Sequence, residues 1–232
     1  MAARVGTGVT GQGDGDSSTI ASASKNTTTG NLLTAFVKWE GNTANFSSIA
    51  DTAGNTWTQI TNITHTNGQL RGGLFYAANI TGHATNVVTI TFSTVNASWR
   101  RIIVEEWSGL TTTSPEDQNE QTVNNGAGSP FDTAAITTTQ SGLVVLGVGA
   151  FGSLSSVTGA GSPTFSIAAT VSDTTFGYLI SSSGQSVTPS ITASGGGGDD
   201  IEIAQAFKDA AVATVPHKSR LFLQAVNRAS TY

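Results

Sequence analysis

The sequence predicts an all-β protein, a jelly-roll-like antiparallel β-sandwich, and three observations carry that prediction. Short apolar alternations recur along the chain, with Gly, Asn and Ser between them. Hardly any segment has the apolar period of a helix. Only 11% of the 232 residues are charged, against roughly a quarter in an ordinary domain. Thr, Ser, Asn and Gly take their place, and these residues suit exposed strand faces and turns.

Eleven segments are predicted to be strands, and the turn residues between them indicate a sandwich or jelly roll. One of them, "LVVLGVGAF", is apolar on both faces, so we expect it to be a central strand. The predicted strands are Leu32–Trp39, Thr56–Ile63, Gly73–Asn79, Val87–Phe92, Arg100–Trp107, Ala134–Thr138, Leu143–Phe151, Thr164–Ala169, Phe176–Ser181, Ser186–Thr192 and Ile201–Phe207.

The two halves of the chain resemble each other in the order of their segments, at a separation of about 100 to 110 residues. Duplication of a half-sandwich explains this echo, and so does the chance similarity of strands built from a few residue types. Either way we expect two sets of about five strands, too short to stand alone, that close one core. The matched pairs are "TTTGNLL" (27–33) with "TTTQSGLV" (137–144), Trp57 with Phe165, Tyr76 with Tyr178, "VVTITFS" with "SVTPSITAS", and Trp107 with Phe207.

The two ends of the chain differ from the body. Residues 1–16 are Gly-rich and are predicted to form an N-terminal arm, residues 17–209 the sandwich, and residues 210–232 a C-terminal tail. Residues 1–209 hold seven Lys and Arg and all fifteen Asp and Glu, a net charge of -8. The tail holds three basic residues and no acid, a net charge of +3.

The tail carries the clearest signal for a partner. Pro216 separates it from the sheet, and a free tail rarely carries so many large apolar side chains. We expect it to dock on an acidic surface of its own sandwich, of a sister subunit or of another protein. The alternative is that the tail forms a final edge strand or a short helix that packs on its own sandwich. The predicted docking residues are Lys218, Arg220, Leu221, Phe222, Leu223, Val226 and Arg228.

Three loop-like stretches are candidates for ligand binding. In "DTAGNTW" (51–57), Asp51 and Asn55 are possible calcium ligands, but the same residues form ordinary turns, which we favour. "GDGDSS" (13–18) lacks the later acid of a calcium loop and fits a flexible arm better. The glycines of "SGGGGDDIE" (194–202) indicate a mobile loop between strands, or a place where a ligand or chain approaches the backbone.

The sequence predicts no catalytic, metal or cofactor site. Glu105 and Glu106 are adjacent on a strand and point to opposite faces, so they cannot act as one acid–base pair. We expect one of them to be buried against Arg100 or Arg101 and the other to be solvated. The three histidines lack metal-ligand spacing, and the chain has no GxSxG, HExxH or phosphate-loop motif.

Net charge and the missing signals bound the partners and the location. A net charge of -5 and a pI near 5.0 make nucleic acid an unexpected partner. No apolar run reaches the ~20 residues of a membrane span, and the N-terminus lacks the apolar core of a secretory signal. With no cysteine, stability must come from packing or assembly. We expect a protein made in a host cytoplasm and released by lysis or assembly.

Five segments in the first half resemble a known kind of module. "TTTGNLLTAFVKW", "DTAGNTWTQI", "LFYAANITG", "NVVTITFS" and "IIVEEWSGL" are similar in order and spacing to β-sandwich modules of bacteriophage virion proteins and of bacterial surface proteins. The resemblance covers residues 18–110 well and the second half loosely. It implies a display or adhesion module on a phage head, tail or fibre, and it carries no catalytic residues.

Two functions follow as expectations. The first is a non-enzymatic structural protein of a phage virion, a head decoration protein or a tail or fibre component, anchored through its termini to sister subunits and other virion proteins. The alternative is a carbohydrate-binding adhesion module that binds a host surface glycan. For the alternative, the possible stacking residues are Trp39, Trp57 and Trp99.

Overall fold

The computed structural model describes residues 1–118, 120–126 and 128–211. Within these residues the chain forms twenty β-strands and no helix, which confirms the all-β prediction. All eleven predicted strands are present, and nine shorter or more polar strands join them. The strands pair antiparallel in a sandwich arrangement, while the narrower jelly-roll assignment stays a prediction.

The strand bounds in the first half, residues 1–110, are β1 (Ala3–Arg4), β2 (Val9–Gly13), β3 (Thr19–Ala21), β4 (Lys25–Thr27), β5 (Leu32–Glu40), β6 (Phe46–Asp51), β7 (Thr58–Thr64), β8 (Leu70–Ala77), β9 (His83–Asn86), β10 (Val88–Phe92) and β11 (Ser98–Ser108). Those in the second half, residues 111–211, are β12 (Gln121–Gly126), β13 (Phe131–Asp132), β14 (Ile136–Thr137), β15 (Gly142–Ala150), β16 (Leu154–Ser162), β17 (Ser166–Val171), β18 (Thr174–Ser181), β19 (Ser186–Gly195) and β20 (Asp200–Lys208).

Each half is a two-layer sandwich. The first large sheet has the order β1-β11-β5-β8-β7, with β2 also paired to β11, and the second has the order β12-β20-β15-β18-β17. The first small sheet is β3-β10-β6, and the second is β13-β19-β14 with β16 also paired to β19. A short β4–β9 ribbon completes the first half.

The two halves repeat each other strand for strand. The order β11-β5-β8-β7 corresponds to β20-β15-β18-β17, and β3-β10-β6 corresponds to β13-β19-β16. The register agrees as well, because Tyr76 lies opposite Thr34 and Tyr178 lies opposite Val145, a constant offset between β5 and β15. By the same register Thr58 matches Ser166, so the residues before them, Trp57 and Phe165, are equivalent. Both the order and the register support duplication.

Within the described residues the buried apolar side chains form three clusters, so the expectation of a single shared core was wrong. The first core lies inside the first sandwich and contains Leu33, Ala35, Val37, Trp39 and Phe75 among others. The second core lies inside the second sandwich and contains Phe131, Val144, Leu146, Val148 and Ile191 among others. The junction core joins the two large sheets face to face and contains Leu32, Phe36, Trp107, Leu143, Phe176 and Phe207 among others.

Burial on both faces explains the composition of the central strands. Side chains alternate between faces along a strand, so β5 sends Leu33, Ala35 and Val37 to the first core and Leu32 and Phe36 to the junction core. Every residue of β15 is buried, which confirms the central strand predicted there. Only a strand without a solvent-facing side reads as a continuous apolar run.

The junction is closely fitted. Phe36 packs against Gly147, where an added Cβ would lie 2.2 Å from the ring carbon Cδ2 of Phe36. The Phe36 and Phe176 rings lie 6.5 Å apart and the Trp107 and Tyr178 rings 5.1 Å apart, within the range of favourable aromatic pairs. Since β7 packs on β12 and β20, while β17 packs on β2 and β11, the halves face each other with approximate two-fold symmetry.

The N-terminal residues differ from the predicted arm. β1 and β2 pair along the outer edge of β11, from Trp107 and Ser108 down to Arg100. Arg4 donates to the Glu105 carboxylate at 2.8 Å through two nitrogens and to the carbonyl of Ala168 at 2.7 Å, so it joins the two halves. The glycine content misled the prediction. An edge strand is held by hydrogen bonds between its backbone and the neighbouring strand, and glycines form these bonds as other residues do.

Both adjacent glutamates are buried, which corrects the expectation that one is solvated. Glu105 faces the junction and pairs with Arg4, rather than with Arg100 or Arg101. Glu106 faces the first core and accepts from the backbone N–H of Thr28 and from the side-chain amide of Asn31. The expectation failed because it assumed one solvated face, whereas this sheet is covered on both sides.

Candidate functional site

A β-bulge in β11 turns one tryptophan out of the molecule. Ser98 lies opposite Glu40 and Arg101 opposite Lys38, so two residues, Trp99 and Arg100, oppose only Trp39. Trp99 adopts φ +43°, in the left-handed region that bulky residues rarely enter. Bulges re-aim side chains in this way, and here the result is an indole that is 47% exposed.

Arg101 supports the exposed indole from below. Its guanidinium carbon lies 5.8 Å from the Trp99 ring centroid, in cation–π geometry, although Arg101 itself is only 2% exposed. Asp14 pairs with Arg101 at 2.9 Å and is 61% exposed. The backbone N–H of Trp99 donates to the carbonyl of Asp14 at 3.1 Å, so residue 14 fixes both partners. We call Trp99, Arg101 and Asp14 the Trp99 surface.

A buried ion network anchors this surface to the second half. Asp173, in the β17–β18 turn, pairs with Arg101 at 3.1 Å and with Lys38 at 3.0 Å. Lys38 is fully buried and pairs with Glu40 at 2.6 Å as well. Charges buried this deeply need partners. Each carboxylate of the network is engaged by a cation, so the arrangement fixes geometry and does not resemble an acid–base pair.

The corresponding corner of the second half has a different chemistry. Arg101 corresponds to Ile201, because they lie opposite Lys38 and Gly149. Asp200 lies opposite Ala150 without a bulge, so the extra residue of the first half has no counterpart, and Asp199 precedes β20 in this corner. Asp199 is 50% exposed, accepts from the Asn67 side chain at 3.1 Å, and lies 3.9 Å from Nε2 of His65. The repeat therefore closes this corner without a tryptophan.

A second unusual feature is a buried pair of acids in β20. Asp200 is fully buried and accepts from the N–H of Gly128 at 2.6 Å. Glu202 is 2% exposed and occupies the position that Ile102 fills in the first half. Burial, reinforced by the neighbouring Asp200, raises the pKa of Glu202 to about 9, and burial also raises the pKa of Asp200. A protonated Glu202 donates to the Asp200 carboxylate, so the two acids share one proton.

The other two tryptophans proposed for stacking lie differently. Trp39 is 2% exposed, donates its indole N–H to the Ala44 carbonyl at 2.7 Å, and offers no ring face to solvent. Trp57 is half-buried and packs against the first core. The exposed candidate is therefore Trp99.

The "DTAGNTW" stretch forms a turn, as predicted. Asp51 accepts from the Asn55 backbone N–H at 2.8 Å and from the Asn55 side-chain amide at 2.7 Å, and also from Asn86 at 3.0 Å. Gly54 has φ +72°, which a glycine adopts without strain. The Asp51 oxygens are thus occupied by the chain's own donors.

The glycine stretch forms the loop between β19 and β20, and its close neighbour belongs to the same chain. Gly195 to Gly198 all have positive φ, between +70° and +94°. The N–H of Gly152 donates to the carbonyl of Gly196 at 3.3 Å, and an added Cβ at Gly195 would lie 2.2 Å from the carbonyl oxygen of Ser153.

The seven predicted docking residues, Lys218, Arg220, Leu221, Phe222, Leu223, Val226 and Arg228, lie outside the described residues. The described chain ends at Ala211, beside a polar cavity of about 160 Å³ that Thr113, Gln140 and Asp209 help to line.

Within the described ranges, no group of three or more His, Asp or Glu side chains is placed to hold a metal ion. No helix in the same ranges is long and apolar enough to cross a membrane.

Sequence reasoning missed the supports of the Trp99 surface. Asp14 was considered only as a calcium ligand, and Arg101 only as a partner for a glutamate. Asp173 is far from both in the chain and has no motif around it.

Comparison with protein-family models, curated proteins and solved structures gives no match.

Proposed function

We propose that this chain is a non-enzymatic structural protein of a phage virion, a head decoration protein or a tail or fibre component, held in place by its C-terminal tail. The observation that carries the proposal is the junction core, which joins two sandwiches into one body through aromatic side chains and buried ion pairs. A body braced in this way suits display on a particle, because few internal degrees of freedom remain.

The distribution of apolar surface supports attachment through the tail. Within the described residues, the exposed large hydrophobic side chains are Met1, Val95, Trp99 and Ile180. Four such side chains are fewer than a stable protein–protein interface uses. The N-terminal segment is paired in the first large sheet and is already engaged. The tail contains a concentration of apolar and basic side chains. Its net charge of +3 is complementary to the net charge of -8 on residues 1–209.

This function implies partners and a location. The tail binds sister subunits or other virion proteins, through an acidic surface with apolar pockets. The protein is made in the host cytoplasm and reaches the outside as part of the particle.

The test is the solution mass of the full chain beside a chain that stops at Val215, measured by light scattering. The proposal expects the full chain to assemble and the shortened chain to remain folded but monomeric. A matched pair of full-length variants, Leu221→Asp with Phe222→Asp against Val95→Asp, separates the tail from general surface effects. Assembly that survives in the tail variant contradicts attachment through the tail, and two folded monomers exclude self-assembly.

A further inference from the structure

We propose that the Trp99 surface binds a neutral hexopyranose ring, with the sugar stacked on the open face of the Trp99 indole. The inference is independent of the tail and of assembly. The fold exposes the Trp99 side chain to an extent unusual for a tryptophan in this molecule. Trp99 is 47% exposed, whereas Trp39 and Trp107 are 2% and 0% exposed.

The exposure of Trp99 has a conformational cost that the repeat avoids. The indole points outward because of a bulge and a φ of +43°, and observed backbone strain of this kind is concentrated at functional sites. In the second half β20 begins at Asp200 and pairs with β15 in continuous register, without the bulge and without a tryptophan. The corner therefore closes without a tryptophan, so closing the fold does not account for Trp99.

The indole is held in place before any ligand arrives. Arg101 covers one face of the ring, and its guanidinium is fixed by Asp14 and Asp173 at 2.9 and 3.1 Å. A fixed platform loses little side-chain entropy on binding, which favours even a small ligand. Trp99 remains 47% exposed, so part of the ring is open to solvent.

The chemistry around the ring selects the class of ligand. The axial C–H groups of a pyranose form an apolar face that packs on an indole, while its hydroxyl groups need acceptors nearby. Asp14 is 61% exposed and pairs with Arg101 through Oδ1. In the proposed complex its carboxylate accepts from a sugar hydroxyl. Asp16 and the net charge of -8 on residues 1–209 disfavour acidic sugars, so the ligand is neutral.

The test follows the four indole N–H resonances of the ¹⁵N-labelled full chain during titration with three probes. These are methyl β-D-galactopyranoside, methyl β-D-glucopyranoside and methyl α-D-mannopyranoside, each to about 50 mM, where a millimolar site is saturated. We expect at least one probe to shift the Trp99 resonance saturably. The resonances of Trp39 and Trp107 should stay in place, because those rings are buried.

Variants of the full chain locate the binding. Trp99→Ala should abolish it, Trp99→Phe should weaken it, and Asp14→Asn should weaken it about tenfold through loss of a charged acceptor. Asp199→Asn, at a half-exposed acid in the corresponding corner of the second half, is the matched control and should bind as the parent does. Thermal melts of each variant confirm folding. If no probe shifts the Trp99 resonance, or if binding survives in Trp99→Ala, the proposal is overturned.

Discussion

Trp107 and Phe207 occupy equivalent positions in the two halves: Trp107 lies opposite Leu32 in β5, and Phe207 lies opposite Leu143 in β15. Both rings are buried in the junction core. Each half thus contributes the same aromatic position to a shared interface, as the two subunits of a symmetric dimer would. The account of the molecule rests on this interface.

The first prediction concerns the fit of Phe36 into Gly147. Gly147→Ala should destabilise the protein by about 1–3 kcal/mol, because the added methyl group overlaps the Phe36 ring in a closely packed core. Gly15→Ala is the matched control, since an added Cβ there meets nothing within 4 Å. Urea denaturation of both variants measures the difference. Equal stability of the two variants would show that the junction is looser than described.

The second prediction concerns Asp173, which neutralises two buried cations from the other half. Asp173→Asn should lower the free energy of unfolding by about 3 kcal/mol, near the lower end of the range for breaking a buried ion pair. The loss is limited because Lys38 still pairs with Glu40 and Arg101 still pairs with Asp14. Asp199→Asn, at an exposed acid, should change the free energy of unfolding by less than about 0.5 kcal/mol. Chemical denaturation at low salt checks both. A loss of the same small size at both positions would contradict the bracing role.

The third prediction is a pH dependence that arises from Glu202. Its pKa is raised from 4.5 to about 9, so between these values the folded state binds a proton that the unfolded state has released. The free energy of unfolding should therefore fall as pH rises, by up to about 1.4 kcal/mol per unit. The stabilisation is complete below pH 4.5 and is lost as pH passes about 9. The raised pKa of Asp200 acts in the same direction.

Glu202→Gln isolates this effect, because the amide donates to Asp200 without titrating. Its stability should depend less on pH, and it should exceed the parent near pH 8.5, while Asp16→Asn, an exposed acid, should keep the parent slope. Denaturation series across that range provide the measurement. A parental slope in Glu202→Gln would assign the pH dependence to other groups.

The fourth prediction separates strain from packing at Trp99. Trp99→Gly should be more stable than Trp99→Ala by about 1 kcal/mol, because only glycine adopts φ +43° without penalty. Thermal unfolding of the two variants under one condition gives the comparison. The reverse order would mean that the backbone at residue 99 relaxes once the indole is removed, and the strain argument would fail.

The sequence predicted the strands that are buried and missed many that are polar. Leu32–Glu40 and Gly142–Ala150 contain long apolar runs, so their composition alone predicts buried strands. Phe46–Asp51 and Leu154–Ser162 are rich in Ser, Thr, Gly and Ala, and they pair at sheet edges without an apolar pattern. Their conformation comes from the neighbouring strand, which a local pattern does not contain.

The candidate site was predicted in part. Trp99 was named together with Trp39 and Trp57, and the sequence could not choose among them. Which tryptophan is exposed depends on the bulge at Trp99 and Arg100, which interrupts the alternation of side chains between the two faces of the strand. No glycine at the bulge marks it in the sequence. The partners Arg101 and Asp173 come together only through the contact between the halves, which strand patterns do not specify.

The central claim is that the two sandwiches form one cooperative body through the junction core. Native-state hydrogen exchange on the backbone amides of β5 and β15 tests it most directly. The account predicts that the most protected amides of both strands exchange with the same free energy, equal to that of global unfolding. A clearly lower opening free energy for one of these strands would mean that its half unfolds alone, and would contradict the claim.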